Sequence, residues 1–180
     1  MARDRILWMS ITATAVIGLL VLLSQSSSVE EVEPLYSTAD DPDPLALVCL
    51  DHTGLDRHDH VTLNIFIDGE QELIPNDTGI NSGVCNEQGE NMHAVHTHRD
   101  QTLHIELNEA GDVPLGVFFD IWGVHFDETG IFDHRVNDTH EMRMYVIASG
   151  EVASEENRVT TFDEYLLQNG ETIEIHYQAR

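Results

Sequence analysis

The chain has no lysine: its eight basic residues are all arginine, set against 33 aspartates and glutamates in 180 residues. The formal charge of −25 argues against nucleic acid as a partner, because phosphate binding needs clustered Lys and Arg to displace counterions. It argues equally against docking on anionic lipid headgroups. A negative field instead concentrates cations, and dense carboxylates also give a halophile-like, well-hydrated surface. Cysteine is scarce too, with only Cys49 and Cys85, and no Cys-x-x-Cys pair or haem attachment motif occurs. The sequence also lacks a nucleophile elbow and a phosphate-cradling glycine loop, so no motif assigns a reaction.

Long apolar runs are equally rare, the one exception being Ile6–Leu23 (ILWMSITATAVIGLLVLL). Eighteen helical residues span roughly 27 Å, enough for a bilayer core. Arg3 and Arg5 precede the run and Glu30, Glu31 and Glu33 follow it, so the positive-inside rule places the C-terminal bulk outside the cytoplasm. Residues 1–23 are therefore expected to be a signal-anchor transmembrane helix, with a cleaved signal peptide as the rival reading. Residues 24–44 are polar, acidic and proline-punctuated, and read as a disordered linker. About 136 residues remain, sufficient for one core.

Within 45–180 the patterning predicts a mostly β, antiparallel, sandwich-like domain with one short packed helix. Val61, Leu63, Ile65 and Ile67 alternate with polar partners and are followed by Asp68-Gly69, a strong hairpin signal. Leu73-Ile74 is expected to begin the return strand. A second β unit runs from His93 to Asn108, with Leu103, Ile105 and Leu107 facing inward. A helix follows, with Asp112 as its cap, Pro114 in its first turn and Gly123 at its end. Strands are expected at Met142–Ala148 and after Asn169-Gly170, where Ile173, Ile175 and Tyr177 alternate, with a short turn or helix around Phe162–Leu167.

Outside the cytoplasm Cys49 and Cys85 are free to form a disulfide; a thiolate ligand acting with His52 is the alternative. Asn76 and Asn137 head glycosylation sequons in expected loops.

Eleven histidines are many for an acidic chain, and their spacing matters more than their number. Residues two apart on a strand share a face. If His96-Thr97-His98 and His104-Ile105-Glu106 form a hairpin turning near Asp100 and Gln101, His98 lies opposite His104 and His96 opposite Glu106. Directly opposed residues have Cβ atoms about 4.5–5.5 Å apart, so three imidazoles and a carboxylate meet in one patch. Zinc takes such ligands, often leaving a position for water. The bland alternative is a polar face in water. His58 and His60 form a second such pair, and a strand extended back from Val61 beside that hairpin brings them to the same face. The expected metal set is thus His58, His60, His96, His98, His104 and Glu106, holding zinc or copper. Met92-His93 and Met142-x-Met144 suit soft copper(I) but rank below ordinary core or surface methionine. His125, His134, His140 and His176 read as structural or solvated. The negative charge is expected to raise histidine pKa values, so that protons displace metal below about pH 6.

These blocks occur in a definite order: Cys49, His58-Asp59-His60, Leu63-Asn64-Ile65-Phe66-Ile67-Asp68-Gly69, Ile74-Pro75…Gly79-Ile80, His96-Thr97-His98, His104-Ile105-Glu106, and Leu115–Gly123 (LGVFFDIWG). The order resembles an uncharacterised family of exported or membrane-anchored bacterial and archaeal proteins, over roughly residues 49–126. The resemblance implies an extracytoplasmic location and joint action of His58, His60, His96, His98 and His104. Members usually carry an acidic residue and a glycine between the last two histidine blocks; here Arg99-Asp100-Gln101-Thr102 is shorter and lacks the glycine. Three functions are open at this level. They are a metal-binding module, a metal-dependent enzyme using Glu106 as base, and a structural or adhesive surface module or tethered subunit of a membrane assembly.

Overall fold

The domain is organised around one long strand, β2 (Arg57–Ile67), whose two edges receive three other strands. The computed structural model describes residues 35–180; the expected membrane anchor lies outside the described residues. Among the described residues, no helix is long and apolar enough to cross a membrane. In β2, Val61, Leu63 and Ile65 are fully buried while Thr62 and Asn64 remain partly exposed, as the two-residue repeat requires.

The principal sheet is seven-stranded. Its order is β11 (Arg158–Val159), β10 (His140–Ile147), β12 (Thr172–Ala179), β2, β6 (Thr102–Leu107) and β5 (Val95–Thr97), with β3 (Glu70–Glu72) pairing β2 beyond the end of β6. The expected antiparallel arrangement is corrected at one place, making the sheet mixed: β12 runs parallel to β2, with Ile173 beside Leu63 and Ile175 beside Ile65. Alternation fixes which face a residue takes but not which way its strand points, so this pairing was invisible in the sequence. The β2–β3 hairpin turns at Asp68-Gly69, both at positive φ. Its return strand occupies Glu70–Glu72 instead of starting at Leu73-Ile74. Two small sheets complete the β structure: β1 (Cys49–Leu50) with β4 (Met92–His93), and β7 (Phe126–Asp127), β8 (Gly130–Ile131) and β9 (His134–Arg135).

The inner face of the principal sheet is covered by α1 (Gly116–Trp122), whose Val117, Phe118 and Phe119 join Val61, Leu63, Leu103 and Ile105 in one core. Burying each phenylalanine contributes about 1.5–3 kcal/mol. Gly123 ends the helix in the left-handed conformation, as expected, but Asp112 does not cap it. Val113 and Leu115 are tied to Tyr165–Leu167, Leu115 N donating to Tyr165 O and Leu167 N to Val113 O. Leu115 is therefore the N-cap, and the first turn bonds run from Val117 N to Pro114 O and Phe118 N to Leu115 O.

Leu35–Pro44, expected to be the end of a disordered linker, belongs to the folded unit. Ser37 and Asp43 cap two short 3-10 turns. Asp43 N donates to the Asp120 carboxylate of α1, and Phe126 N to Thr38 Oγ1. Composition alone suggested a spacer, but side-chain caps and backbone donors dock these residues. Cys49 and Cys85 form a disulfide, which removes the thiolate alternative. Closing 36 residues of chain stabilises by about 4 kcal/mol on the chain-entropy view. Asn76 and Asn137 are both exposed.

Candidate metal centre

On the face of the sheet opposite α1, three strands carry histidines into register. β5 and β6 form the expected hairpin, but His96, not His98, pairs with His104. The last pair is Thr97 with Leu103, so His98 to Gln101 form the connection. Asp77 N donates to His98 O, and Asp100 caps Thr102 N. The shift moves the register by two residues, which preserves every side chain's face. His98 therefore stays with its neighbours although it has left the strand: its ring centroid is 4.7 Å from that of His104 and 5.1 Å from that of His96.

β2 lies along the other edge of β6, placing His60 opposite His104 and His58 opposite Glu106. The adjacency inferred for the His58-Asp59-His60 pair is thus present, and His60, His104 and His96 form a row across three strands. His104 is the hub. Its ring lies 4.5 to 6.0 Å from those of His60, His98, His96 and His58.

One member was missed as part of this cluster. His52, weighed from sequence only as a companion of Cys49, reaches over the face from the loop after β1. Its Nδ1 comes within 2.8 Å of Glu106 Oε2, and its ring lies 5.9 Å from that of His96. The loop is shaped by Asp51, which accepts bonds from Thr53 N and Oγ1, and tied to the end of β6 by Asn108 Nδ2 donating to Thr53 O. Strand periodicity cannot place a loop residue. The usable signal was the Cys49–Cys85 pairing, which fixes the chain three residues upstream.

The inner ligands are held by surrounding structure. His96 Nδ1 donates to His93 O at 3.0 Å, which fixes the tautomer and leaves Nε2 with a free lone pair. His93 is a strut: Nδ1 bonds Ala46 O and Nε2 bonds Ser82 Oγ, each at 2.7 Å. Gly79 backs onto His96 so closely that a Cβ there would meet His96 Cβ at 3.0 Å and Val95 O at 2.8 Å. Asn169 and Gly170 grip His60 through both backbone groups: His60 N donates to Asn169 Oδ1 and Gly170 N to His60 O.

The face is solvated only at its rim, where His52, His58 and His60 are exposed; its centre is not. His96 and Glu106 are fully buried. His58 Nε2 lies 3.3 Å from Glu106 Oε1, yet neither this approach nor that of His52 is aligned as a hydrogen bond. Both Glu106 oxygens and His96 Nε2 are buried without a hydrogen-bond partner. A buried carboxylate in that condition costs several kcal/mol, and a cation among the imidazoles would supply the missing compensation. Burial, aided by His104, His98 and His52, lowers the His96 pKa to about 4. Burial, with His60, His98 and His58, does the same for His104. The expectation that net negative charge would raise these values is therefore corrected at the inner positions, where desolvation and neighbouring imidazoles outweigh distant carboxylates. Neutral imidazole is the form a metal needs.

Three sets of side chains bring ligand atoms within 4.8 Å of one another: His52, His96 and His98; His58, His60 and His104; His96, His104 and Glu106. Each can hold a metal ion. The remaining histidines are engaged elsewhere. His125 is buried against Asp127 and Thr129, His176 stacks on Phe66, and His134 and His140 flank Tyr177. Met142 and Met144 are core residues, 5% and 0% exposed. No protein-family model, curated protein or solved structure matches the chain.

Proposed function

We propose that this chain is an extracytoplasmic metal-binding module, anchored to the membrane through Ile6–Leu23, that holds zinc or copper in the histidine cluster. One observation carries the reading: His96 Nε2 and both oxygens of Glu106 are buried without hydrogen-bond partners among convergent imidazoles. A domain that needed only a polar surface would leave these atoms in water. The donor set contains imidazole and carboxylate but no thiolate or thioether, since both cysteines are paired and Met142 and Met144 lie in the core. That chemistry suits Zn²⁺ or Cu²⁺ better than Cu⁺. The disulfide supports an oxidising compartment. Glu106 serves poorly as a free catalytic base, because it is fully buried beneath His52, which favours binding over the enzymatic reading.

The test is titration of the metal-stripped full chain with Zn²⁺ and with Cu²⁺. Tight binding that weakens tenfold or more in His104→Ala, and not in His134→Ala, is the expected result. A wild-type chain that binds neither ion above a histidine-poor control sinks the proposal.

A further inference from the structure

The cluster divides around Glu106 in a way that specifies how many ions it takes. His52, His96 and His98 form one set and His58, His60 and His104 the other. The two carboxylate oxygens are shared between them: Oε2 faces His52 at 2.8 Å, and Oε1 faces His58 at 3.3 Å. Glu106 is also within ligand distance of His96 and His104, the inner member of each set. A single ion accepts about four ligands of this kind, so six imidazoles and a carboxylate exceed what one zinc can use. Two ions, each with three imidazoles and one carboxylate oxygen, use them all.

We propose that the site is dinuclear, with Glu106 as a carboxylate bridge between two three-histidine metal positions; this rests on the metal-binding reading above. Four ligand atoms at about 2.0–2.1 Å from zinc lie about 3.3 Å apart in a tetrahedron. The three histidine nitrogens of each set already lie within 4.8 Å of one another, so side-chain adjustments of an ångström or so close them around an ion, with Glu106 as the fourth ligand reached from its contacts with His52 and His58. Paired ions in two-metal sites stand about 3.5–4 Å apart, the scale on which the two oxygens of one carboxylate serve neighbouring positions. The bridge explains why a carboxylate is fully buried at the middle of this patch: its charge offsets both ions at once.

Native mass spectrometry of the full chain loaded with Zn²⁺ tests the stoichiometry. Two ions per wild-type chain are expected. One ion should remain in His52→Ala/His98→Ala and one in His58→Ala/His60→Ala. His52 and His58 have side chains 51% and 48% exposed, so these changes do not hollow the core. Glu106→Gln should weaken both ions together, by tenfold or more. If that variant does not fold, electron paramagnetic resonance of the wild-type chain loaded with Cu²⁺ replaces it, and a spin-coupled pair is expected. One ion per wild-type chain, lost from either double variant, overturns the dinuclear site but leaves metal binding intact. Two ions without coupling, or unaffected by Glu106→Gln, overturn the bridge. No ion at all removes both readings.

Discussion

Gly79 and His96 touch across the outer edge of β5, with Gly79 at φ +84° and room for nothing larger than hydrogen at its α-carbon. A methyl group there meets the Val95 carbonyl and the His96 β-carbon, and the left-handed backbone adds strain of its own. Gly79→Ala is therefore expected to cost about 2 kcal/mol or more and to weaken zinc binding by displacing His96. Gly69→Ala is the control, since Gly69 has φ +86° but nothing within 4 Å of the added carbon. It should lose stability from backbone strain alone and keep its metal affinity. Equal effects of the two variants on zinc affinity would remove Gly79 from the site's support.

Acid should destabilise the metal-free chain over a defined window. His96 and His104 have pKa values of about 4 in the fold against about 6.5 when unfolded. Between those values the unfolded chain takes up protons that the folded chain refuses. The stability tied to these residues is thus intact above about pH 6.5 and lost as pH falls to about 4. For the fully buried His96 the change is on the order of 3 kcal/mol, and it is smaller for the partly exposed His104. Denaturant unfolding at several pH values measures it, and His96→Gln should flatten the dependence. A slope unchanged in that variant would show that other groups govern the acid response. The same shift moves proton competition at these two ligands from near pH 6 to near pH 4.

The Cys49–Cys85 bond does more than stabilise, because it fixes the strand from which His52 departs. Cys49→Ser with Cys85→Ser should lower stability by about 3–4 kcal/mol and loosen the His52 arm. In a double-mutant cycle, His52→Ala should weaken zinc binding in the oxidised protein and have little further effect in the serine background. Additive losses would show that His52 finds its place without the disulfide.

Much of this arrangement was legible because it depends on alternation. Leu103, Ile105 and Leu107 had to face the core, which sent His104 and Glu106 to the opposite side, and Val61 to Ile65 did the same for His58 and His60. What was not legible depends on the connections between strands. The turn from His98 to Gln101 set the hairpin register two residues away from the expected one, and harmlessly so, since an even shift leaves faces unchanged. The direction of β12 carries no signature in its own residues. His52 sits in a loop, where no period applies. The burial of Glu106 beneath His52 goes with that loop, so alternation alone could place Glu106 on this face but could not show that it is enclosed there.

The parallel pairing of β12 with β2 has a consequence for the order in which the molecule matures. His60 is gripped by Asn169 and Gly170, which lie more than a hundred positions later in the chain. A nascent polypeptide that stops short of Asn169 leaves β2 with one naked edge and the His58–His60 segment unbraced. Such long-range pairing forms late. Completion of the proposed metal site is accordingly expected only once the chain beyond Asn169 is available to fold.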